Sequence, residues 1–407
     1  MLEKNVAKQL IAELPDSAAS AALATSMAGL ASPAVEAVPA ARRSLHITQT
    51  VNSIDRELTS AKARATHQPM AFVERKNIDE ARLASLLQVS SKHNSWANRG
   101  PLWHALSQCY ESYFQNITDK RVVPCANGGI ALEALARMKE AQAGRQLRWC
   151  VSAFGFLNTK RGYFSDAIVV DCDETGLFSL SNLERLDQQS FDGIVVTNPF
   201  GLVRDFSDFA AWQQRTGKLL LIDNAAGVDL DVPDLPYQSF SLHHTKPYGF
   251  GEGGMALVPN EEYEQFLRLI EYQQLSGAEA THWVNNGKIS DPSCALHLLR
   301  LEQAPRWRPR YIEQMQRIRR ISGSMGFTPL RQEEVPSMSV PLLAPHAMPG
   351  EALRNDTITL AKYYKPLAKM THCSALFDRI VNVPCHLDVE LIPESRIESV
   401  LSQLVGQ

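Results

Sequence analysis

Ser-Phe-Ser-Leu-His-His-Thr-Lys-Pro-Tyr-Gly-Phe-Gly-Glu-Gly-Gly, residues 239–254, places one lysine, Lys246, between a predicted β-strand and a glycine-rich turn. The apolar residues Met255-Ala-Leu-Val258 predict that another strand follows at once. Glycines packed this densely indicate that the backbone closely approaches a ligand or another backbone segment. An amine held in such a crowded site can lose its proton and attack a carbonyl to form a Schiff base. The alternative is a solvated lysine on a surface hairpin.

The composition of the chain excludes several classes of protein. Its 407 residues are enough for more than one domain. The 41 basic and 44 acidic side chains are nearly balanced, so we expect no nucleic-acid partner. The seven scattered cysteines form no CxxC pair and no Cys/His cluster at zinc spacing, which predicts reduced thiols, no bound metal and a cytoplasmic location. No apolar run approaches the roughly 20 residues of a membrane span, so we expect no membrane partner either.

Short apolar runs recur through the middle of the chain and alternate with helical patterns. The predicted strands lie in Leu147–Phe154, Ala167–Asp173, Gly193–Phe200 and Leu219–Asn224, and a predicted helix at Phe206–Thr216 is capped by Asp205 or Ser207. This alternation predicts an α/β fold, a mainly parallel central sheet with helices on both faces. In such sheets ligands bind beyond the carboxyl ends of the strands. Asp223 stands at one of those ends.

The predicted domain organisation has three parts: an extension at residues 1–70, a large α/β domain at 71–305 and a smaller C-terminal α+β domain at 306–407. Leu2, Val6, Leu10 and Leu14 predict a short amphipathic helix in the extension. Residues 17–43, rich in Ala, Ser and Pro, predict a linker or a loosely held arm. This arm either binds a partner, braces an oligomer or is dispensable, and its composition favours the last.

Three residues of the large domain suit a flat, charged, aldehyde-bearing cofactor. Lys246 can hold an aldehyde as an imine, and Asp223 can pair with a protonated ring nitrogen. Phe156, on a loop of small residues, can lie on the face of the ring. Each residue also has a simpler interpretation: Asp223 can cap the following turn, and Phe156 can belong to the core.

A phosphate site is the fourth feature of this set. Gly128 and Gly129 end an apolar run and begin a strong helical pattern, so their amides and the hydroxyl of Ser241 can hold a phosphate at a helix start. An ordinary turn explains these glycines equally well when they are considered alone. Together with the lysine, carboxylate and aromatic ring, they complete the contacts that pyridoxal phosphate needs.

The glycines after Lys246 do not form a dinucleotide-binding motif. Gly249, Gly251, Gly253 and Gly254 have the spacing GxGxGG, whereas the motif requires GxGxxG. The run also leads into a predicted strand, where the motif needs a helix whose N-terminus holds the pyrophosphate.

With these residues the chain resembles the DegT-type nucleotide-sugar aminotransferases, within the fold type I pyridoxal-phosphate enzymes. The resemblance covers roughly residues 71–400. Ser241-Leu-His-His-Thr-Lys246, followed by Gly251-Glu-Gly-Gly254, is similar to the family's cofactor-lysine signature. Ile222-Asp223-Asn-Ala-Ala matches the segment that carries the ring-nitrogen carboxylate. Asn127-Gly-Gly-Ile-Ala-Leu132 matches the phosphate-binding helix start, and Phe156 stands where the family stacks an aromatic ring.

The resemblance extends to the subunit interface and the small domain. The segment from Asn286 to Ala295 is similar to the one whose asparagine reaches the phosphate of the neighbouring subunit, which implies a homodimer with shared active sites. Tyr363-Tyr364-Lys-Pro and Val383-Pro-Cys-His386 resemble landmarks of the family's small domain. The chain departs from the family at three positions: Gly129 replaces a usual Thr, Ala226 a polar residue and Lys288 an arginine.

The implied function is a two-stage transamination from an amino donor, by resemblance glutamate, to the keto group of a nucleotide-linked sugar. Lys246 would hold the cofactor and then move the proton at the donor's α-carbon. Arg99 and Lys288 are candidates for contacting substrate phosphates. Three alternatives stay open: a sugar dehydratase of the same fold, which has histidine in place of the lysine, a catalytically decayed binding homologue, and a lyase or racemase.

We predict that deleting residues 1–65 leaves cofactor binding intact, because the extension has few large apolar residues to bury. The measurement is the visible absorption band of the truncated protein after incubation with pyridoxal phosphate. Assembly or solubility can change without affecting this outcome. Loss of the band in a truncation whose circular dichroism remains native would contradict the prediction.

Overall fold

The computed structural model describes residues 68–272, 275 and 277–406, together with the isolated residues 49, 52, 53 and 56. The predicted helix at residues 2–14 and the predicted arm at 17–43 lie outside these ranges. His67–Gln407 form one compact unit, to which the elements below belong. The boundary placed at residues 305 and 306 from the sequence stays a prediction.

A seven-stranded sheet lies at the centre of this unit. Its strands are β1 Lys120–Cys125, β2 Trp149–Ser152, β3 Ile168–Val170, β4 Gly193–Thr197, β5 Leu219–Asp223, β6 Gln238–Ser241 and β7 Gly254–Pro259. Their order in the sheet is β1-β7-β6-β5-β4-β2-β3. Strand β7 pairs antiparallel with both of its neighbours, and all other pairs are parallel. The prediction of a mainly parallel sheet is confirmed.

Helices surround the sheet and continue into the C-terminal part of the chain. In chain order they are α1 Glu80–His93, α2 Pro101–Tyr113, α3 Gly128–Ala143, α4 Leu180–Leu183, α5 Ser207–Thr216, α6 Tyr263–Ile270, α7 Ala278–Thr281, α8 Asp291–Glu302, α9 Ala304–Gly323, α10 Thr371–Arg379 and α11 Glu394–Val405. Short 3-10 helices lie at Leu157–Lys160, Gly162–Phe164, Pro199–Gly201, Asn260–Glu262, Gly350–Leu353 and Leu387–Leu391.

Local sequence signals explain where several of these helices begin and end. Helix α3 starts at Asn127, whose side-chain oxygen accepts a hydrogen bond from the N–H of Ile130. Of the two candidate caps for α5, Asp205 supplies the bond, accepting from the N–H of Ser207 at 2.8 Å. Helix α6 ends at Ile270, because the backbone of the next residue, Glu271, is extended.

A three-stranded antiparallel sheet, in the order β10-β9-β8, forms the centre of the C-terminal part. Its strands are β8 Thr328–Pro329, β9 Ser339–Leu343 and β10 Ile380–Pro384. Buried residues of α9 and α11 share its core, and so do Phe154 and Phe200, from the loops after β2 and β4. The large sheet's loops therefore pack directly into the core of the small sheet.

Two absences hold for the described ranges. Within them no helix is both long enough and apolar enough to cross a membrane. The same ranges contain no group of three His, Cys, Asp or Glu side chains placed to hold a metal ion.

Candidate active site

Three polar residues stand side by side at the carboxyl ends of neighbouring strands. The register pairs Thr197 on β4 with Asp223 on β5, and Asp223 with Ser239 on β6. Residues paired in this way project to the same face of a sheet. The hydroxyls of Thr197 and Ser239 are buried, and neither has a hydrogen-bond partner among the described residues. Buried hydroxyls are normally paired, so this row is suited to a polar ligand.

Asp223 is the charged member of this row and is only 2% exposed. Burial raises the pKa of its carboxyl group to about 6, while the N–H of Ala225 and the nearby amine of Lys246 oppose the shift. The bond from Ala225 is long, at 3.3 Å, so much of the carboxylate's hydrogen-bonding capacity remains unused. Capping of the following turn therefore accounts for only part of the hydrogen-bonding capacity of this carboxylate.

Lys246 lies on a turn between β6 and β7 whose backbone is tightly folded. Its N–H donates to the carbonyl of His243, and the N–H of Gly249 donates to its own carbonyl. A Cβ at Gly249 would lie 2.0 Å from the His243 carbonyl oxygen, so only glycine fits there. The turn joins the antiparallel strands β6 and β7, but the side chain of Lys246 is partly buried and is not a solvated surface lysine. Burial lowers the pKa of its amine, with Asp223 opposing the shift. Its Nζ atom lies 3.8 Å from the sulfur of Met338.

The start of helix α3 and the end of β6 form a cradle beside this turn. A Cβ at Gly128 would lie 2.9 Å from the carbonyl oxygen of Phe240 and 3.2 Å from the Cα of Ser241. The amides of Gly128 and Gly129 donate no hydrogen bond to any described residue. Free amides at a helix start attract anions. The hydroxyl of Ser241 accepts from the N–H of His243 at 3.2 Å and retains its own proton for donation.

Phe156 and Asn158 border the cradle from the loop after β2. Phe156 is 57% exposed, so the core interpretation of this ring is wrong and one face is available for stacking. The Oδ1 atom of Asn158 is buried without a partner among the described residues. Its Nδ2 atom would lie 3.9 Å from a Cβ placed on Gly129. No pattern in the sequence singled out Asn158.

The remaining predicted residues, Asn286, Arg99 and Lys288, lie near the end of α6 in the fold. Asn286 is exposed. Its neighbour Gly287 accepts a hydrogen bond from the N–H of Ala126 at 2.7 Å, so this segment runs beside the start of α3. Arg99 forms an ion pair with Glu271, with 2.6 Å between Nε and Oε1. The ammonium of Lys288 lies 4.9 Å from the centre of the Tyr272 ring.

Other residues near the site come from distant parts of the chain. Lys76 and Met338 were missed in the sequence, and Tyr364 was named there only as part of a small-domain landmark. The hydroxyl of Tyr364 accepts a hydrogen bond from the N–H of Phe200, and its pKa is raised by burial. Met338 precedes β9 and reaches Lys246. The ammonium of Lys76 contacts the turn that carries Lys246. No local pattern marks these residues, because each acts through a contact formed only in the folded chain.

These residues fit pyridoxal phosphate. The buried hydroxyls of Thr197 and Ser239 are unpaired, the amides of Gly128 and Gly129 are free, and one ring face of Phe156 is uncovered. An amine with a lowered pKa and a buried carboxylate with a raised pKa lie near each other at the same edge of the sheet. Such a donor set provides for an aldehyde, a basic ring nitrogen and a phosphate.

Comparison with known proteins agrees with this geometry. The sequence pattern of the DegT/DnrJ/EryC1/StrS aminotransferase family matches residues 76–387. Among solved structures, PseC of Helicobacter pylori, an aminotransferase involved in the biosynthesis of pseudoaminic acid, is 18% identical and superposes with a TM-score of 0.69, covering 84% of this chain and 100% of that chain. An aminotransferase from Brucella abortus is 17% identical, with a TM-score of 0.67 and coverage of 81% and 96%. DesI, determined in the presence of its TDP-sugar product, is 18% identical, with a TM-score of 0.69 and coverage of 84% and 93%.

We predict that Asp223→Asn makes the cofactor-free protein more stable at pH 7. A carboxyl group with a raised pKa binds more protons in the folded state than in the unfolded state between its two pKa values. The folded state therefore loses stability as the pH rises from about 4 to about 6. Removing the charge should raise the free energy of unfolding by about 3 kcal/mol at pH 7 and leave it unchanged near pH 4.

Urea unfolding at the two pH values measures this difference. The exposed Asp166→Asn is the matched control and should change stability at neither pH. An equal effect of Asp223→Asn at pH 4 and pH 7 would show that it does not arise from the buried charge.

Proposed function

Because the chain belongs to the DegT/DnrJ/EryC1/StrS aminotransferase family, we propose that it uses pyridoxal phosphate to move an amino group from an amino acid to a keto sugar. Glutamate is the proposed donor, and a nucleotide-linked sugar is the proposed acceptor. The observation that carries the proposal is that the Lys246 amine and the buried Asp223 carboxylate lie near enough, at one edge of the sheet, for each to affect the pKa of the other.

Pyridoxal phosphate supplies an aldehyde carbon and an electron-withdrawing ring when it is bound. The side chains of this protein would hold and orient it. The free amides of Gly128 and Gly129 and the hydroxyl of Ser241 would hold the phosphate, and the exposed ring of Phe156 would stack on the cofactor ring. Asp223, ionised at neutral pH, keeps a proton on the ring nitrogen.

Lys246 has two tasks in this proposal, to hold the cofactor and to move a proton at the α-carbon of the donor. A free lysine, with a pKa of about 10.4, is nearly all protonated at neutral pH and is then no base. Burial lowers the pKa of Lys246, so a larger fraction of the amine is neutral. The dehydratase alternative has no such lysine, and the presence of Lys246 therefore favours transamination.

Charged residues near α6 are the proposed contacts for the substrate's phosphates. Lys288 is partly buried, and its pKa is lowered by burial, with Glu271 opposing and Arg99 adding to the shift. The two cations thus lie close enough to act on one anionic group. DesI binds a TDP-sugar product, and we propose an acceptor of the same class here. The product would serve surface-polysaccharide or natural-product sugar synthesis in the cytoplasm, where the seven unpaired cysteines would stay reduced.

We further propose a homodimer with shared active sites. Asn286 is exposed in the single chain, and its segment runs beside the phosphate cradle through the bond between Gly287 and Ala126. An exposed amide next to an anion site can serve its own chain or, across a two-fold axis, the partner's. The family resemblance favours the second arrangement.

We predict that the purified protein shows a visible absorption band with pyridoxal phosphate and that Lys246→Ala abolishes it. Asp223→Asn should keep the fold, yet slow single-turnover conversion with glutamate by orders of magnitude, because asparagine supplies no charge for the ring nitrogen. Stopped-flow absorbance measures both effects. A colourless wild-type protein that cannot be reconstituted would remove the proposed function, and near-normal conversion by Asp223→Asn would remove that residue from its role.

We predict that two inactive variants restore activity when their subunits are mixed. Asn286→Asp places a carboxylate beside a phosphate dianion, and Lys246→Ala lacks the amine. In mixed dimers with shared sites, one site carries both lesions and the other is intact. Random pairing makes about half of the dimers mixed, so roughly a quarter of the wild-type activity should return.

The variants are unfolded and refolded together in equal amounts, and subunit exchange is verified by differential tagging. If Asn286 serves its own chain, every site carries one lesion. Activity no higher than the mean of the separately refolded variants would then end the shared-site proposal.

A further inference from the structure

Three backbone carbonyls of the turn that carries Lys246 converge on one side-chain atom. The Nζ atom of Lys76 lies 2.6 Å from the carbonyl oxygen of His244, 2.6 Å from that of Lys246 and 2.5 Å from that of Gly249. The carbonyl of Lys246 also accepts from the N–H of Gly249, but within the described part of the chain no backbone N–H donates to the carbonyls of His244 and Gly249. These two oxygens therefore need a partner from outside the turn. A lysine 170 residues earlier in the chain supplies them.

The segment that carries Lys76 is itself firmly held. Glu74 is 5% exposed and forms a buried ion pair with Arg300, with 2.7 Å between Oε2 and Nη2. Tyr311 donates to the same carboxylate at 2.9 Å. Arg300 in turn donates through Nε to the carbonyl of Pro247, the residue after Lys246. Lys76 and Arg300, from different parts of the chain, thus donate to four backbone carbonyls of this turn.

Placing an ammonium here is costly. Burial, with a smaller contribution from Arg300, lowers the pKa of Lys76 to about 7, and Glu74 opposes the shift. An ammonium has three N–H donors, and the three carbonyls accept one each. The match offsets the loss of water that burial imposes. An apolar side chain in the same place would leave the carbonyl oxygens of His244 and Gly249 unpaired, and that of Lys246 would keep only the N–H of Gly249.

We propose that Lys76 is a positioning residue that acts through Lys246, its ammonium serving as a tethered monovalent cation in a cage of three backbone carbonyls. Carbonyl oxygens grouped in this way are the ligands that replace the water shell of a potassium ion. Because the Lys76 ammonium holds the turn, the backbone of Lys246 stays in one place, and the amine of Lys246 stays close to Asp223. The inference rests on the role of Lys246 in the proposed function.

The cage makes a specific experiment possible. Lys76→Ala removes the ammonium but leaves the carbonyls and an opening that a potassium ion can fill. Potassium is close in size to ammonium and does not react with aldehydes. The full-length variant is freed of cofactor and mixed with pyridoxal phosphate, and the rate at which the visible band appears is followed in potassium chloride and in tetramethylammonium chloride at equal ionic strength.

We predict that Lys76→Ala loads at least about tenfold more slowly than the wild type in tetramethylammonium chloride, the loss expected for charged hydrogen bonds. Potassium chloride should raise the loading rate of Lys76→Ala several-fold, whereas the wild type should load at the same rate in both salts. Lys76→Met fills the cage without a charge and should load slowly in both. The control Lys92→Ala, at an exposed site in the last turn of α1, should load like the wild type.

A purely structural role would change the melting temperature without selective rescue by potassium. Normal loading by Lys76→Met, or slow loading by Lys76→Ala that is equal in the two salts, would overturn the proposal. If Lys76→Ala fails to fold in tetramethylammonium chloride, folding in potassium chloride alone supports the cage, and Lys76→Met decides the role of the charge. A wild type without a visible band would instead count against the proposed function.

Discussion

The burial of one carboxylate and one amine at the same sheet edge is the constraint on which the rest of the site depends. Burial raises the pKa of Asp223 and lowers the pKa of Lys246, and each group opposes the shift that burial causes in the other. No direct ion pair joins them in the described part of the chain. A buried charge without a close partner costs free energy. A ligand with a basic nitrogen and an electrophilic carbon in the space beside them would therefore stabilise these two buried groups better than water does.

The surrounding structure is arranged to keep that space open. Strands β4, β5 and β6 satisfy their own backbone groups through the ladder, which leaves Thr197 and Ser239 with free hydroxyls. The turn after β6 has a few backbone hydrogen bonds of its own, and side chains donate to further carbonyls in it. Lys76 and Arg300 supply the donors, and Glu74 balances the charge of Arg300. Regular structure thus shapes the floor of the site, and charged side chains hold the irregular segment that delivers the amine.

The C-terminal part of the chain closes the other side. Phe154 and Phe200 leave the large sheet and join the core of the small one, so the two sheets are packed together. Met338 then contacts the Lys246 amine, and Tyr364 accepts a hydrogen bond beside Phe200. The contact with Met338 removes water from one side of the amine, which adds to the effect of burial on its pKa. The small sheet therefore contributes to the chemistry of a site whose charged groups all lie on the large one.

The sequence by itself determined the features that depend on neighbouring residues. Apolar runs marked β2 to β5 and the helix between β4 and β5, and dense glycines marked the Lys246 turn as a close-packed one. Asp223 was recognisable because it follows a buried strand, and Phe156 and the Gly128-Gly129 pair were recognisable through their loops. These signals are local, since periodicity and turn chemistry act over a few residues.

Only the tertiary structure decided which distant groups meet. The row of Thr197, Asp223 and Ser239 arises from strand register, which no single strand encodes. The place of Lys76 arises from three carbonyls of the Lys246 turn, one of them 170 residues further along the chain. A lysine in a polar segment has the same sequence signature whether it is solvated or caged. The difference lies in the buried oxygens around it, and those exist only after the sheet has formed and the turn has packed against it.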